Sequence, residues 1–146
     1  LIMNRVVLIT GGSSGIGKAL CEICAQNAEI VYEISRRETR HPAGITHISG
    51  DVRDEESLKK AVETILEKEG RIDVLVNNAG FGISGAIEFT DHEEAFHQMD
   101  VNFFGTVNTT KQVIPVIRGG SLRDPLPGLL FRFQICHTGL YPGFAQ

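Results

Sequence analysis

The chain has 146 residues, 42% of them hydrophobic and 22% charged, with a formal net charge of −4. That length suits one domain, and an acidic balance argues against nucleic-acid binding, which needs a basic face. No apolar run reaches the ~20 residues of a membrane span. The apolar opening "LIMNRVVLIT" lacks the basic start and small-residue cleavage site of a signal peptide, so it reads as a strand. Three cysteines at unremarkable spacings do not suggest a disulfide framework. A reduced, cytoplasmic protein is expected.

"RVVLIT" (residues 5–10) is a short β-branched apolar run, expected as a buried strand. Ile16, Ala19, Leu20, Ile23 and Cys24 then recur at helical spacing. "EIVYEIS" (29–35) and "GITHIS" (44–49) read as the second and third strands. A helix follows Asp54 on Leu58, Ala61, Val62, Ile65 and Leu66, with Gly70 as its stop. "IDVLVNN" (72–78) is the fourth strand. Thr90 and Glu93 have capping-box spacing. They predict one last helix through Phe96, Met99, Phe103, Val107 and Ile114, until Pro115 disturbs it. Alternating strands and helices with short connections predict a parallel sheet covered on both faces. The expected division is an incomplete dinucleotide-binding domain over residues 1–118 and an irregular tail over 119–146.

"TGGSSGIG", Thr10 to Gly17, joins the first strand to the first helix. Gly11 allows a tight exit from the strand, Gly15 a close approach of backbone amides to a pyrophosphate, and Gly17 close packing of helix on sheet. The helix N-terminus then offers free N–H groups and its positive dipole end to phosphates. An ordinary strand-to-helix turn would gain nothing evident from so many glycines and serines.

The spacing T-G-x-x-x-G-I-G resembles the short-chain dehydrogenase/reductase family. "NNAG" (77–80) after the fourth strand, "DV" (51–52) after the third and "DVNFFGTVNTTKQVIP" (100–115) agree with it. The resemblance covers residues 4 to about 118. It implies an α/β fold: the N-terminal half of a Rossmann-type doubly wound parallel sheet, in the order 3-2-1-4. It implies a nicotinamide cofactor held by Thr10, Gly11, Ser13, Ser14, Gly15, Ile16 and Gly17, with Asp51 and Val52 at the adenine and Asn78, Ala79 and Gly80 alongside. Asn102 matches the asparagine of the Asn-Ser-Tyr-Lys catalytic set. The helix over residues 91–114 resembles the family's interface helix, which implies a homo-oligomer.

In an NAD-specific site an acid after the second strand would bond the ribose 2′-hydroxyl. This chain instead has Ser35, Arg36 and Arg37 in "SRRETR", which suits a 2′-phosphate. NADP(H) is therefore expected over NAD(H), with a solvated basic loop as the plainer alternative and Glu33, two residues earlier, as a competing acid. Cys21 and Cys24 sit mid-helix, away from an N-terminus that would lower a thiol pKa, with Cys24 expected in the core. His41, His47, His92, His97 and His137 are scattered without zinc-ligand spacing, and no metal is expected.

The family transfers hydride between a nicotinamide and a small carbonyl or alcohol substrate, using a Tyr-x-x-x-Lys and a serine. This sequence has no Tyr-x-x-x-Lys; its tyrosines are Tyr32 and Tyr141, and Ala145 stands four places after the latter. Plausible codons for residues 130–135, shifted by one base, spell Tyr-Ser-Ala-Ser-Lys. The tail is thus expected to be a frameshifted remnant of a gene lesion, an altered splice or a sequencing error, with a genuine divergent C-terminus as the alternative. The expected function is that of an NADP-dependent short-chain oxidoreductase whose chain, as written, is inactive. A non-catalytic nucleotide-binding protein and a non-functional truncated product are the rivals.

Overall fold

A computed structural model describes residues 4–117. The reading of residues 119–146 lies outside the described residues. Four strands, β1 (Val6–Thr10), β2 (Ile30–Ser35), β3 (Ile45–Ser49) and β4 (Val74–Val76), form one sheet in the order β3-β2-β1-β4. Every pairing is parallel, with Val6 opposite Ile30, Val7 opposite Val74 and Val31 opposite Ile45. This is the expected N-terminal half of a doubly wound sheet.

Both faces are covered, and the pleat of β1 shows how. Val6 and Leu8 point to one side, where they join Tyr32, Ile34, Leu58, Ala61, Val62, Ile65 and Val113. Val7 and Ile9 point to the other, with Val31 and Cys21. The first side is covered by α2 (Glu55–Glu69) and α4 (Gly105–Ile117), the second by α1 (Gly15–Gln26). A strand buried on both faces needs an unbroken apolar run, which is what "VVLIT" supplies.

Helix α2 matches its pattern. Asp54 caps it by accepting from the Glu56 N–H at 3.1 Å, and Gly70 ends it with φ +73°. In α1 the inward face is rotated from the expected one. Gly17 and Cys21 are buried, Cys24 is only half-buried, and Ile16 and Ile23 are 60% and 54% exposed. The close seat of Gly17 sets that rotation: a Cβ there would collide with the Gly11 carbonyl and the Asn78 side chain. Cys21, one turn on, therefore takes the core position expected for Cys24.

The last helix is three segments. α3 (His92–Met99) leads into a wide π-helical turn (Asp100–Phe104), then α4, which runs on past Pro115 to Ile117. The cap of α3 is Asp91, whose carboxylate accepts from the Glu93 N–H at 3.0 Å. Thr90 instead donates to the Ala86 carbonyl at 3.5 Å. An aspartate already positioned to cap leaves the neighbouring threonine no role there. α4 buries Gly105, Thr109, Thr110 and Val113, one or two turns apart, whereas α3 buries nothing. Phe96, Met99, Phe103 and Phe104 remain 72%, 51%, 45% and 51% exposed. Among the described residues no helix is long and apolar enough to cross a membrane.

Candidate functional site

The carboxyl ends of the strands open onto a cavity of about 540 Å³. Gly11, Ser13, Ser14, Gly15 and Ile16 line it from the β1–α1 turn, and Ser35, Arg36 and Arg37 from the end of β2. Asp51 and Val52 face it from beyond β3, and Asn78, Ala79 and Gly80 from beyond β4. Ligands in open α/β sheets bind at this end, at the switch point beside β1, where the crossovers through α1 and through α2 lie on opposite faces of the sheet.

The turn is built for close approach. Gly11 (φ +70°) donates its N–H to the Ile34 carbonyl at 2.8 Å, and a Cβ there would stand 2.8 Å from Ala79 Cα. Gly15 (φ +54°) faces open space, with nothing within 4 Å of a Cβ position. The N-terminus of α1 has no side-chain cap and no acidic residue in its first turn. α2 and α3 have both, through Asp54, Glu55 and Glu56, and through Asp91, Glu93 and Glu94. The first N–H groups of α1 and its positive dipole end are left for an anion. This cradle fits the pyrophosphate of a dinucleotide.

Two expected residues act from behind the cavity wall. Thr10 is buried, and its Oγ1 accepts the backbone N–H groups of Asn78 and Ala79 at 3.0 and 2.9 Å. The Asn78 amide returns two bonds, to the Thr10 and Gly11 carbonyls, both at 3.1 Å. These contacts lock the two lips of the cavity together. Gly17 lies under the same amide.

Asn102 sits in the π-helical turn and bonds both polar atoms of Phe81's backbone: Oδ1 accepts from N–H at 2.9 Å and Nδ2 donates to the carbonyl at 2.8 Å. Its amide thereby holds the segment after Gly80. Such turns are frequently found at functional sites. Tyr32, the one tyrosine among the described residues, is buried in β2 and donates to Glu69 at 2.7 Å. Burial, then that bond, push its phenol up to about 12, so it is no proton shuttle at neutral pH.

Asp51 is already engaged. Its carboxylate accepts from Arg53's backbone N–H at 3.0 Å and from the Arg53 guanidinium at 2.6 Å. The Arg53 side-chain bond holds it below the usual carboxylate range, with Arg36 adding to the effect. Arg36 and Arg37 are exposed on the cavity rim, and neither forms an ion pair among the described residues. Glu33 is fully buried and outside the cavity lining.

Sequence reasoning missed Phe81, His97 and Val101, which close the cavity from the far side. Phe81 and His97 rings lie 5.1 Å apart, and His97 Nδ1 is 3.4 Å from Arg53. The signal available was spacing: His97 and Val101 are four apart on the helix that carries Asn102.

A profile described as short chain dehydrogenase matches residues 5–122. The chain belongs to the short-chain dehydrogenase family. It is 43% identical over 114 residues to a protein named 3-ketodihydrosphingosine reductase from Bacteroides thetaiotaomicron, covering 78% of this chain and 42% of that one. ElxO solved with NADP bound superposes with a TM-score of 0.73 at 30% identity, over 80% of this chain and 52% of that one. An NADH-dependent reductase complexed with NAD superposes with a TM-score of 0.70 at 27% identity, over 80% and 53%. This short-chain dehydrogenase chain thus spans about half the length of these relatives or less. Neighbours are known with either cofactor, so the choice rests on residues of this chain.

Proposed function

We propose that the cavity binds NADP(H) in preference to NAD(H), and that the protein transfers hydride between this cofactor and a small carbonyl or alcohol substrate. Arg36 and Arg37 on the rim, with no ion pair among the described residues, carry the reading. Two guanidiniums suit a 2′-phosphate, through charge-assisted bonds of about 1.5–3 kcal/mol each. The burial of Glu33 supports it, because that carboxylate is turned away from the cavity where a ribose hydroxyl would lie. Bound there, NADP(H) would supply or accept the hydride. The turn amides would hold the pyrophosphate, while Thr10 and Asn78 would keep the cavity lips in register. Asn102 would brace the segment after Gly80.

For this chain taken alone, a second reading is non-catalytic nucleotide binding. It is favoured by the lack of any Tyr-x-x-x-Lys in the sequence and by the burial of Tyr32. The exposed Phe96, Met99, Phe103 and Phe104 support a homo-oligomer through the helix over residues 91–114. Cys21 and Cys24, free of disulfides among the described residues, support the cytoplasm as the compartment.

Calorimetric titration with NADPH and NADH tests the cofactor. NADPH should bind more tightly, and Arg36→Ala should erase most of that difference while sparing NADH. Equal affinities, or a preference for NADH, would refute it. On the second reading the same preparation, mixed with NADPH and a panel of small aldehydes and ketones, shows no turnover, since loss of acid–base catalysis alone costs about 10²–10⁴ in rate. Turnover abolished by Asn102→Ala would overturn the second reading for this chain.

A further inference from the structure

Glu33, His41 and His47 meet on the α1 side of the sheet, outside the nucleotide cavity. Glu33 is in β2, His47 is its register partner in β3, and His41 comes from the segment joining the two strands. The Glu33 side chain is fully buried, and those of His41 and His47 are 3% and 15% exposed. No lysine or arginine pairs with Glu33 among the described residues. A carboxylate wholly removed from water needs a cation or a full set of donors.

The donors are not spread as a hydrogen-bonded carboxylate would spread them. His41 Nε2 approaches Oε1 at 3.0 Å, His47 Nδ1 contacts the same Oε1, and the Ser35 hydroxyl stands 3.3 Å from it. Oε2 is buried and has no hydrogen-bond partner among the described residues. Two imidazoles acting only as donors would satisfy more by taking one oxygen each. Three potential ligand atoms gathered within 4.8 Å of one another, two of them imidazole nitrogens on a single carboxylate oxygen, are instead an arrangement a metal ion collects.

The geometry points to a zinc site formed by Glu33, His41 and His47. Two imidazoles and one carboxylate are a zinc donor set, with a fourth position for water or the Ser35 hydroxyl. Tetrahedral zinc with bonds of about 2.0–2.1 Å spaces its ligand atoms about 3.3 Å apart, so a small opening of the cluster admits the ion. Imidazole ligands disfavour magnesium and calcium, which take oxygen. The ion would neutralise Glu33, and Oε2, now orphaned, could itself take the fourth position in place of water or Ser35. It would also pin the segment between β2 and β3, which begins at Arg36 and Arg37. The site needs no nucleotide and no catalysis, so it stands or falls apart from the function proposed above.

The test is titration of the purified full chain, stripped with chelator, with Zn²⁺ alone, read by competition with a chromophoric chelator and by thermal melting. One zinc per chain and a raised melting temperature are expected. Co²⁺ should give the intense visible absorption of a tetrahedral site. His41→Ala and His47→Gln should each weaken zinc binding by about a hundredfold or more, given that loss of even an outer partner typically costs roughly 10–100-fold. His92→Ala, an exposed histidine, should leave it unchanged. No stoichiometric uptake by the parent chain would overturn the site, whatever the variants do. So would uptake that survives both substitutions or persists in denaturant, or a melting temperature that responds to acid and ignores zinc.

Discussion

Helices α2 and α3 show the same apolar periodicity in sequence and put it to opposite uses. In α2, Leu58, Ala61, Val62 and Ile65 are buried on the sheet. In α3 and the turn after it, Phe96, Met99 and Phe103 lie in solvent. Both begin with an aspartate cap and an acidic first turn. Periodicity identifies a helix with a preferred face; it does not say whether the same chain covers that face. What covers α2 is set by the β3–α2–β4 crossover, which lays the helix across the sheet. The π-helical turn, by adding a residue to one turn, leaves Gly105 buried against Val52 and Val113 in the core, with the α3 stripe outside.

Truncation on the two stripes breaks the comparison most directly. Ile65→Ala should destabilise the chain by about 2–5 kcal/mol through a core cavity. Phe96→Ala should shift monomer stability by no more than about 0.5 kcal/mol. It should act instead on self-association, so urea melts at low concentration and sedimentation at high concentration separate the two effects. If Phe96→Ala matched Ile65→Ala in dilute melts, α3 would be packed in the monomer and the contrast would be lost.

The caps sharpen it. Asp54→Ala and Asp91→Ala remove bonds of nearly equal length, 3.1 and 3.0 Å. Asp54→Ala should lower global stability by about 1 kcal/mol, because α2 unfolds with the core. Asp91→Ala should mainly speed local amide exchange near residues 93–96, since α3 buries no residue to couple it to the rest. Equal shifts in global melts would contradict that.

The smallest effect is the titration of Asp51, between the α2 region and the cavity. Its pKa lies below the usual 3.8 because of Arg53. A lowered folded-state pKa contributes stability that is complete above the unfolded value and is lost as pH falls through the folded one. Carboxyl-carbon NMR should therefore show Asp51 ionised below pH 3.8, and Arg53→Ala should move its midpoint upward. An unmoved midpoint would mean that Arg53 is not the cause.

Much of this architecture was legible because its signals are local. The run "VVLIT", the spacing of Gly11, Gly15 and Gly17, and the Asp54-to-Gly70 frame each dictate backbone geometry within a few residues. The order 3-2-1-4 came from resemblance. What was missed is what needs a partner distant in sequence. Cys21, not Cys24, is central because Gly17 packs on Gly11 and Asn78. Glu33, His41 and His47 look scattered until the β2–β3 register sets Glu33 beside His47. Phe81 and His97 reach the cavity only after Asn102 ties Phe81's backbone to the last helix.

The strand order also sets a timetable for synthesis. β1 pairs with β2 at a separation of 24 residues (Val6 with Ile30) and with β4 at 67 (Val7 with Val74). Closing the longer loop costs only about 0.9 kcal/mol more in chain entropy. The delay is in supply: a ribosome making about 5–20 residues per second takes seconds to deliver β4 after β2. Through that interval a nascent sheet 3-2-1 presents the open edge of its most apolar strand, Val6 to Ile9. A stall between β3 and β4 would prolong that exposure, so this stretch of the message is where slow codons would be most harmful to the newborn chain.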